Sequence, residues 1–138
     1  MDYQAISKET IGFLYRSHAN IRRSELDNKW VALAELRVSQ LIGCPFCCHF
    51  HSNELRAMGI DQELIDKLPG WKHSTLFDPI QVLVLQWTDA VTLMKDGLPA
   101  IKEELEQHFT EKQLVELTAS ISLMNALTRL RVTLGDPA

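Results

Sequence analysis

The sequence predicts an all-α fold, a compact bundle of about six to seven helices. Three observations point there. Apolar residues recur at three- and four-residue steps along the longer segments. No segment sustains the two-residue alternation of a half-buried strand. The punctuation is sparse and falls where helices begin or stop, with Ser, Thr or Asp ahead of apolar runs and Gly or Pro behind them.

Taken in order, Ser7-Lys8-Glu9-Thr10 opens a first helix expected to reach about Ser24, with Ala19-Asn20 as a point of interruption. Asp27 caps a second, whose stripe is Trp30, Leu33, Ala34, Val38, Leu41 and Ile42. Gly43 and Pro45 break that run, and Pro45 suits the first turn of a new helix, where its missing N–H costs little. This third helix carries Cys47 to Met58 and stops at Gly59. Asp61 restarts a short helical turn that ends before Pro69-Gly70. Ile80 to Leu85 reads locally as a buried strand, but the pattern continues through Trp87, Val91 and Met94, too long for a strand and correctly spaced for a helix. Asp78-Pro79 starts it, Lys95 to Pro99 follow as a loop, and a short helix runs through Ile101 and Leu105. Thr110-Glu111-Lys112-Gln113 is a capping-box sequence opening the last long helix. From Leu114 to Leu130 that helix is apolar nearly all round, which places it at the centre of its own domain or against another subunit. A homo-oligomer is expected.

The chain has 138 residues, which makes one domain, 1–138, able to bury roughly two thirds of its unfolded surface. Hydrophobic residues at 46% and charged ones at 23% exclude disorder. Fourteen basic residues against 18 acidic ones give a charge of −4, which argues against nucleic acid or an anionic membrane as partner. No apolar run approaches the ~20 residues of a membrane span. The polar start Met1-Asp2-Tyr3-Gln4 is not that of a signal peptide, so the expected location is cytoplasmic.

The three cysteines, Cys44, Cys47 and Cys48, lie within five residues. A secreted disulfide scaffold spreads its cysteines along the chain, so this cluster reads as redox chemistry or metal binding. At a helix start, Cys44 and Cys47 meet on one face near a terminus whose dipole favours thiolate. His51 stands four residues after Cys47 on the same face, within reach of the thiol proton. Two thiols and a base form a complete set for peroxide or disulfide chemistry, in which one cysteine becomes a sulfenic acid and the other condenses with it. Zinc is the rival reading, through Cys44, Cys47 and His51. Structural zinc draws its ligands from two separated segments, and His73 and His108 stand alone, so neither metal nor cofactor is expected. His49 and His18 read as surface or interface histidines. Spacing does not decide which thiol attacks.

The run Glu35-Leu36-Arg37-Val38-Ser39-Gln40-Leu41-Ile42-Gly43-Cys44-Pro45-Phe46-Cys47, followed by His51, resembles the signature of the carboxymuconolactone decarboxylase superfamily. Within it the resemblance is to the alkylhydroperoxidase D-like (AhpD-like) branch. It continues through Trp71, Phe77, Trp87 to Thr92 and His108-Phe109-Thr110, and ends with Leu114 to Leu117 and Asn125 to Arg129, covering roughly residues 25 to 131. The resemblance implies an oligomer, a trimer or hexamer, that reduces a hydroperoxide at the expense of a thiol or dithiol reductant in antioxidant defence. It implies that Cys47 attacks the peroxide, Cys44 resolves it, and His51 with Glu35 forms the proton relay. Without it, Glu35 reads as a solvated surface acid.

There are departures. Phe46 stands where many members have histidine or tyrosine, which removes proton transfer through that side chain. Ile42 replaces a common asparagine, Gln81 an acid, and Leu127 and Thr128 a tryptophan and an asparagine. Cys48 is extra, but it is rotated about 100° from Cys47 and so out of register with His51. The expected bridge is Cys44–Cys47, and closing it is expected to loosen the first helical turn. Two other functions stand beside this one: a decarboxylase acting on a small lactone acid, which needs no dithiol, and a non-catalytic helical assembly protein or redox sensor.

Overall fold

Eight α-helices and one 3₁₀ segment follow one another over the described residues, 1–137, in the computed structural model. They are α1 (Tyr3–Ile6), α2 (Lys8–Arg22), α3 (Asn28–Ile42), α4 (Pro45–Ala57), α5 (Gln62–Lys67), the 3₁₀ segment Leu68–His73, α6 (Pro79–Leu93), α7 (Leu98–Leu105) and α8 (Glu111–Leu134). The all-α expectation holds, and the count exceeds six to seven for local reasons. α1 is too short to show a period, and is started by the Asp2 carboxylate accepting from Ala5 N at 3.2 Å. The 3₁₀ segment crosses Pro69-Gly70, where a stop was expected, because buried Leu68 and Trp71 anchor it on both sides. α2 runs unbroken through Ala19-Asn20. Leu98 and Pro99, expected in a loop, form the first turn of α7.

Ser7 and Asp61 take their N-cap places without a side-chain hydrogen bond, whereas three other capping signals work as read. Asp27 accepts from Lys29 N at 2.9 Å, and reciprocal capping boxes open α6 (Asp78 with Gln81) and α8 (Thr110 with Gln113). Gln81 Oε1 accepts from Asp78 N at 2.9 Å, so this departure from the family pattern does its work in helix capping.

The centre of the bundle belongs to α3. Its nine consecutive residues Val31 to Ser39 are all buried, because α4, α6 and α8 pack around it. The last helix was expected at this place or against another subunit. α8 instead buries a single stripe, Leu114, Leu117, Ile121, Met124 and Leu127, and leaves Val115 67% exposed in the single chain. On one side of α3, Arg37 forks onto Asp89 of α6 (Nε–Oδ1 2.6 Å, Nη2–Oδ2 3.0 Å), and Trp71 Nε1 donates to the same carboxylate at 3.3 Å. This bidentate pair ties α3, α6 and the 3₁₀ segment together. Among the described residues, no helix is long and apolar enough to cross a membrane.

Candidate active site

The turn from α3 to α4 builds the cysteine pair. Gly43 ends α3 at φ 82°, a left-handed conformation that glycine adopts without Cβ strain. There Gly43 N and Cys44 N both donate to Ser39 O, at 2.9 and 3.0 Å. Cys44 is thereby set just outside α4 as its N-cap, in extended conformation, with its sulfur accepting from Cys47 N at 3.2 Å. The Cys44 and Cys47 sulfurs are joined, with Cα atoms 5.2 Å apart. Cys48 N still donates to Cys44 O at 2.9 Å. The first turn is therefore intact with the bridge closed, contrary to expectation, because Cys44 lies outside the helix. Cys48 is free and half-buried against the core, and burial pushes its thiol pKa up.

Beside the pair lies a knot of charge centred on Glu35, which is fully buried rather than solvated. Its Oε1 accepts from His18 Nε2 at 2.9 Å and from Ser120 Oγ at 3.2 Å. Its Oε2 accepts from Arg22 Nη2 at 2.9 Å and lies 3.3 Å from His51 Nδ1. Arg22 Nη2 also reaches Glu54 Oε1 at 2.9 Å, and His51 Nδ1 bonds the same oxygen at 3.1 Å. Burial alone would push the Glu35 carboxyl up, but the His18 hydrogen bond, with Arg22 and His51, outweighs it and holds the group below the usual carboxylate range. Glu54 is treated likewise: burial opposes ionisation, and His51 and Arg22 overcome it. Burial would lower Arg22, yet the two carboxylates raise it. With both carboxylates ionised, the ring atoms facing them carry the protons, Nε2 of His18 and Nδ1 of His51. Each ring keeps its other nitrogen for chemistry.

Both histidines and Cys47 open on one cavity of about 470 Å³. Tyr15, Phe46, Phe50, Met124 and Leu127 give it an apolar lining, and Arg131 closes one side with Cζ 4.0 Å over the Phe46 ring. Phe46 and Arg131 also border a second cavity, about 220 Å³, lined by Cys44 with Gly43, Val132 and Gly135. The two sulfurs thus border different spaces. Such an arrangement can hold an apolar molecule beside a thiol, move a proton off that thiol, and trap the oxidised sulfur with its neighbour.

The profile of the Carboxymuconolactone decarboxylase family matches residues 12–90, more than half of the chain. The chain belongs to that family. It is also similar to the uncharacterized protein YdfG of Bacillus subtilis (strain 168), 25% identical over 140 residues that cover 100% of this chain and 95% of YdfG. YnjA of Escherichia coli (strain K12), likewise uncharacterized, is 28% identical over 129 residues, covering 93% of this chain and 68% of YnjA. In three dimensions the chain is similar to ATU0492 of Agrobacterium tumefaciens, a protein of unknown function described as a candidate antioxidant defence protein AhpD. There the TM-score is 0.89 at 28% identity, over 96% of this chain and 92% of the other. The fold is the AhpD-like one.

Within the family signature the structure separates two jobs. Cys47 and His51 line the cavity, with Cys44 bonded to the one and Glu35 beside the other, whereas Arg37, Trp71 and Asp89 form a separate buried clip. His49, His73 and His108 are exposed. His18 requires correction: it is not a surface histidine, because Glu35 holds its ring at the cavity wall. Arg22, Glu54 and Ser120 were missed as well. A signal existed for two of them, since Arg22 follows His18 by four residues and Glu54 follows His51 by three, each pair on one helix face. Ser120 left none. Glu35, His51 and Glu54 bring ligand atoms within 4.8 Å of one another, but Arg22 Nη2 sits 2.9 Å from both carboxylates and already places a positive charge between them. That set does not fit a cation. The zinc set considered from sequence would need the sulfurs of Cys44 and Cys47 as free thiolates, and here they are bonded to each other.

Proposed function

We propose that this chain is a thiol-dependent hydroperoxide reductase acting in antioxidant defence. The observation that carries the reading is the joined Cys44–Cys47 pair, with Cys47 and His51 opening on the same apolar cavity. In the reduced protein, His51 takes the Cys47 proton on the ring nitrogen turned away from Glu35 and Glu54. The Cys47 thiolate attacks the hydroperoxide, its O–O bond breaks, and an alcohol leaves while Cys47 becomes a sulfenic acid. The Cys44 sulfur displaces water from that sulfenic acid and closes the bridge. A thiol or dithiol reductant of the cytoplasm, itself oxidised to a disulfide, reopens it. General-base assistance of this kind by His51 is typically worth ~10²–10⁴-fold in rate, and Glu35 and Glu54 stabilise the imidazolium that forms. The apolar lining favours an organic hydroperoxide.

The working form is a homo-oligomer, a trimer or hexamer by family resemblance. Exposed Ile6, Phe13, Met94 and Val115 supply apolar surface for it. Light scattering at micromolar concentration tests this, and a monomer there overturns it.

Peroxide consumption with dithiothreitol as reductant tests the function, in wild type and in Cys47→Ser. Turnover by the wild type and none by a folded Cys47→Ser variant is the expected result. No consumption by the wild type, or consumption that survives Cys47→Ser, overturns the reading.

A further inference from the structure

Two histidines open on the cavity beside Cys47, and the mechanism above uses one. We propose that His18 is a second catalytic residue, the general acid that protonates the oxygen leaving from a bound hydroperoxide. The assignment rests on the reading of this chain as a hydroperoxide reductase.

The chemistry calls for such a group. A thiolate attacking one peroxide oxygen expels the other as an alkoxide, a base far stronger than any side chain at neutral pH. A proton delivered during O–O cleavage therefore lowers the barrier. The displacement is in line, so the leaving oxygen departs on the side away from the attacking sulfur. Its donor belongs on a different element from the nucleophile. His51 is a poor candidate, since it follows Cys47 by one turn of α4 and has just taken that thiol's proton. His18 comes from α2, and lines the same cavity.

The orientation of the His18 ring is fixed by contacts already described. Nε2 donates to Glu35 Oε1 at 2.9 Å, and among the described residues Nδ1 has no hydrogen-bond partner. The side chain is 23% exposed, enough to be reached by a substrate while still held. A carboxylate behind one nitrogen stabilises the imidazolium, which then carries a donatable proton on the other. Glu35 thus holds both rings, His18 on Oε1 and His51 beside Oε2.

The protons balance. His51 gains one from Cys47, and His18 gives one to the alkoxide. When Cys44 closes the bridge, the departing hydroxide takes the proton from His51 and leaves as water, and the Cys44 thiol proton returns through solvent to His18. One hydroperoxide and two thiols become one alcohol, one water and one disulfide. Both histidines end as they began. Through the step of O–O cleavage the charge around buried Glu35 rises on one ring and falls on the other, so no net charge accumulates there.

The test compares two substrates in single-turnover oxidation of the fully reduced protein. tert-Butyl hydroperoxide expels an alkoxide that needs a proton, whereas peracetic acid expels acetate, which does not. His18→Ala is expected to slow the first by ~10²-fold or more and the second far less. His18→Gln keeps a donor toward Glu35 but has no proton to give, so it should share the alanine variant's defect. It also carries the test if the alanine variant does not fold. Equal slowing of both substrates, no slowing of either, or a wild-type rate in His18→Gln would each overturn the assignment and leave the peroxidase reading standing. A wild-type protein that reduces neither substrate overturns both.

Discussion

Glu35 and Arg37 sit two residues apart on the central helix, so their side chains leave it on opposite sides, about 200° around. Each enters a buried cluster of charge. Arg37 meets Asp89 as a closed fork, with two nitrogens on two oxygens at 2.6 and 3.0 Å and Trp71 sealing the carboxylate. Glu35 shares its oxygens among His18, Arg22, Ser120 and His51, contributed by three other helices. Two of those partners, His18 and His51, also face open space. Burial of charge is common to both clusters and distinguishes neither. Asp89 and Trp71 border a cavity too, of about 460 Å³, but the polar atoms of the fork are already paired. What separates a clip from a site is whether the buried charge holds groups that keep a free atom turned toward the cavity.

Removing one partner from the closed fork should have the largest effect on stability. Asp89→Ala leaves Arg37 uncompensated in the interior, and urea denaturation is expected to show a loss of about 3–5 kcal/mol. Turnover per folded molecule should be unchanged. Glu35→Gln should do the reverse, slowing peroxide reduction by ~10²-fold at a smaller cost in stability, about 1–3 kcal/mol. If the variants exchanged these phenotypes, the distinction between the clusters would collapse.

Acid sharpens the comparison further. The carboxyls of Glu35 and Glu54 are held below their ordinary value of 4.5, so their contribution to stability is complete above that value. It is lost as pH falls through their lower folded values. Melting temperature should therefore decline on acidification below pH 4.5, and decline less steeply in Glu54→Gln. The smallest effect belongs to Cys48→Ser, which should leave turnover intact and change stability by less than about 1 kcal/mol. Iodoacetamide labelling with peptide mapping should reach Cys48 more slowly than a free cysteine, because burial raises its thiol pKa.

The cysteines and His51 were legible because they lie within eight residues, where helical spacing does the geometry. Asp27, Asp78 and Thr110 were legible for the same reason, since caps are local. The surroundings of Glu35 were not. Its partners Arg22, His18 and Ser120 lie 13, 17 and 85 residues away, and no periodicity links them. The central helix was disguised by its own chemistry: Glu35, Arg37 and Ser39 interrupt its apolar run, yet each is buried because a partner satisfies it. α8, more uniformly apolar, looked like the better centre.

The bridge between Cys44 and Cys47 spans a sequence separation of only 3. A cross-link of that span removes little loop-closure entropy from the unfolded chain, about 2 kcal/mol against the ~4.7 of a loop of a hundred residues. The hydrogen bonds that shape the turn, from Gly43, Cys44 and Cys48, run through backbone atoms and do not depend on the sulfur–sulfur bond. The bond is thus nearly decoupled from folding. Opening it removes no backbone hydrogen bond of the turn, so a change of redox state at the pair need not expose the core.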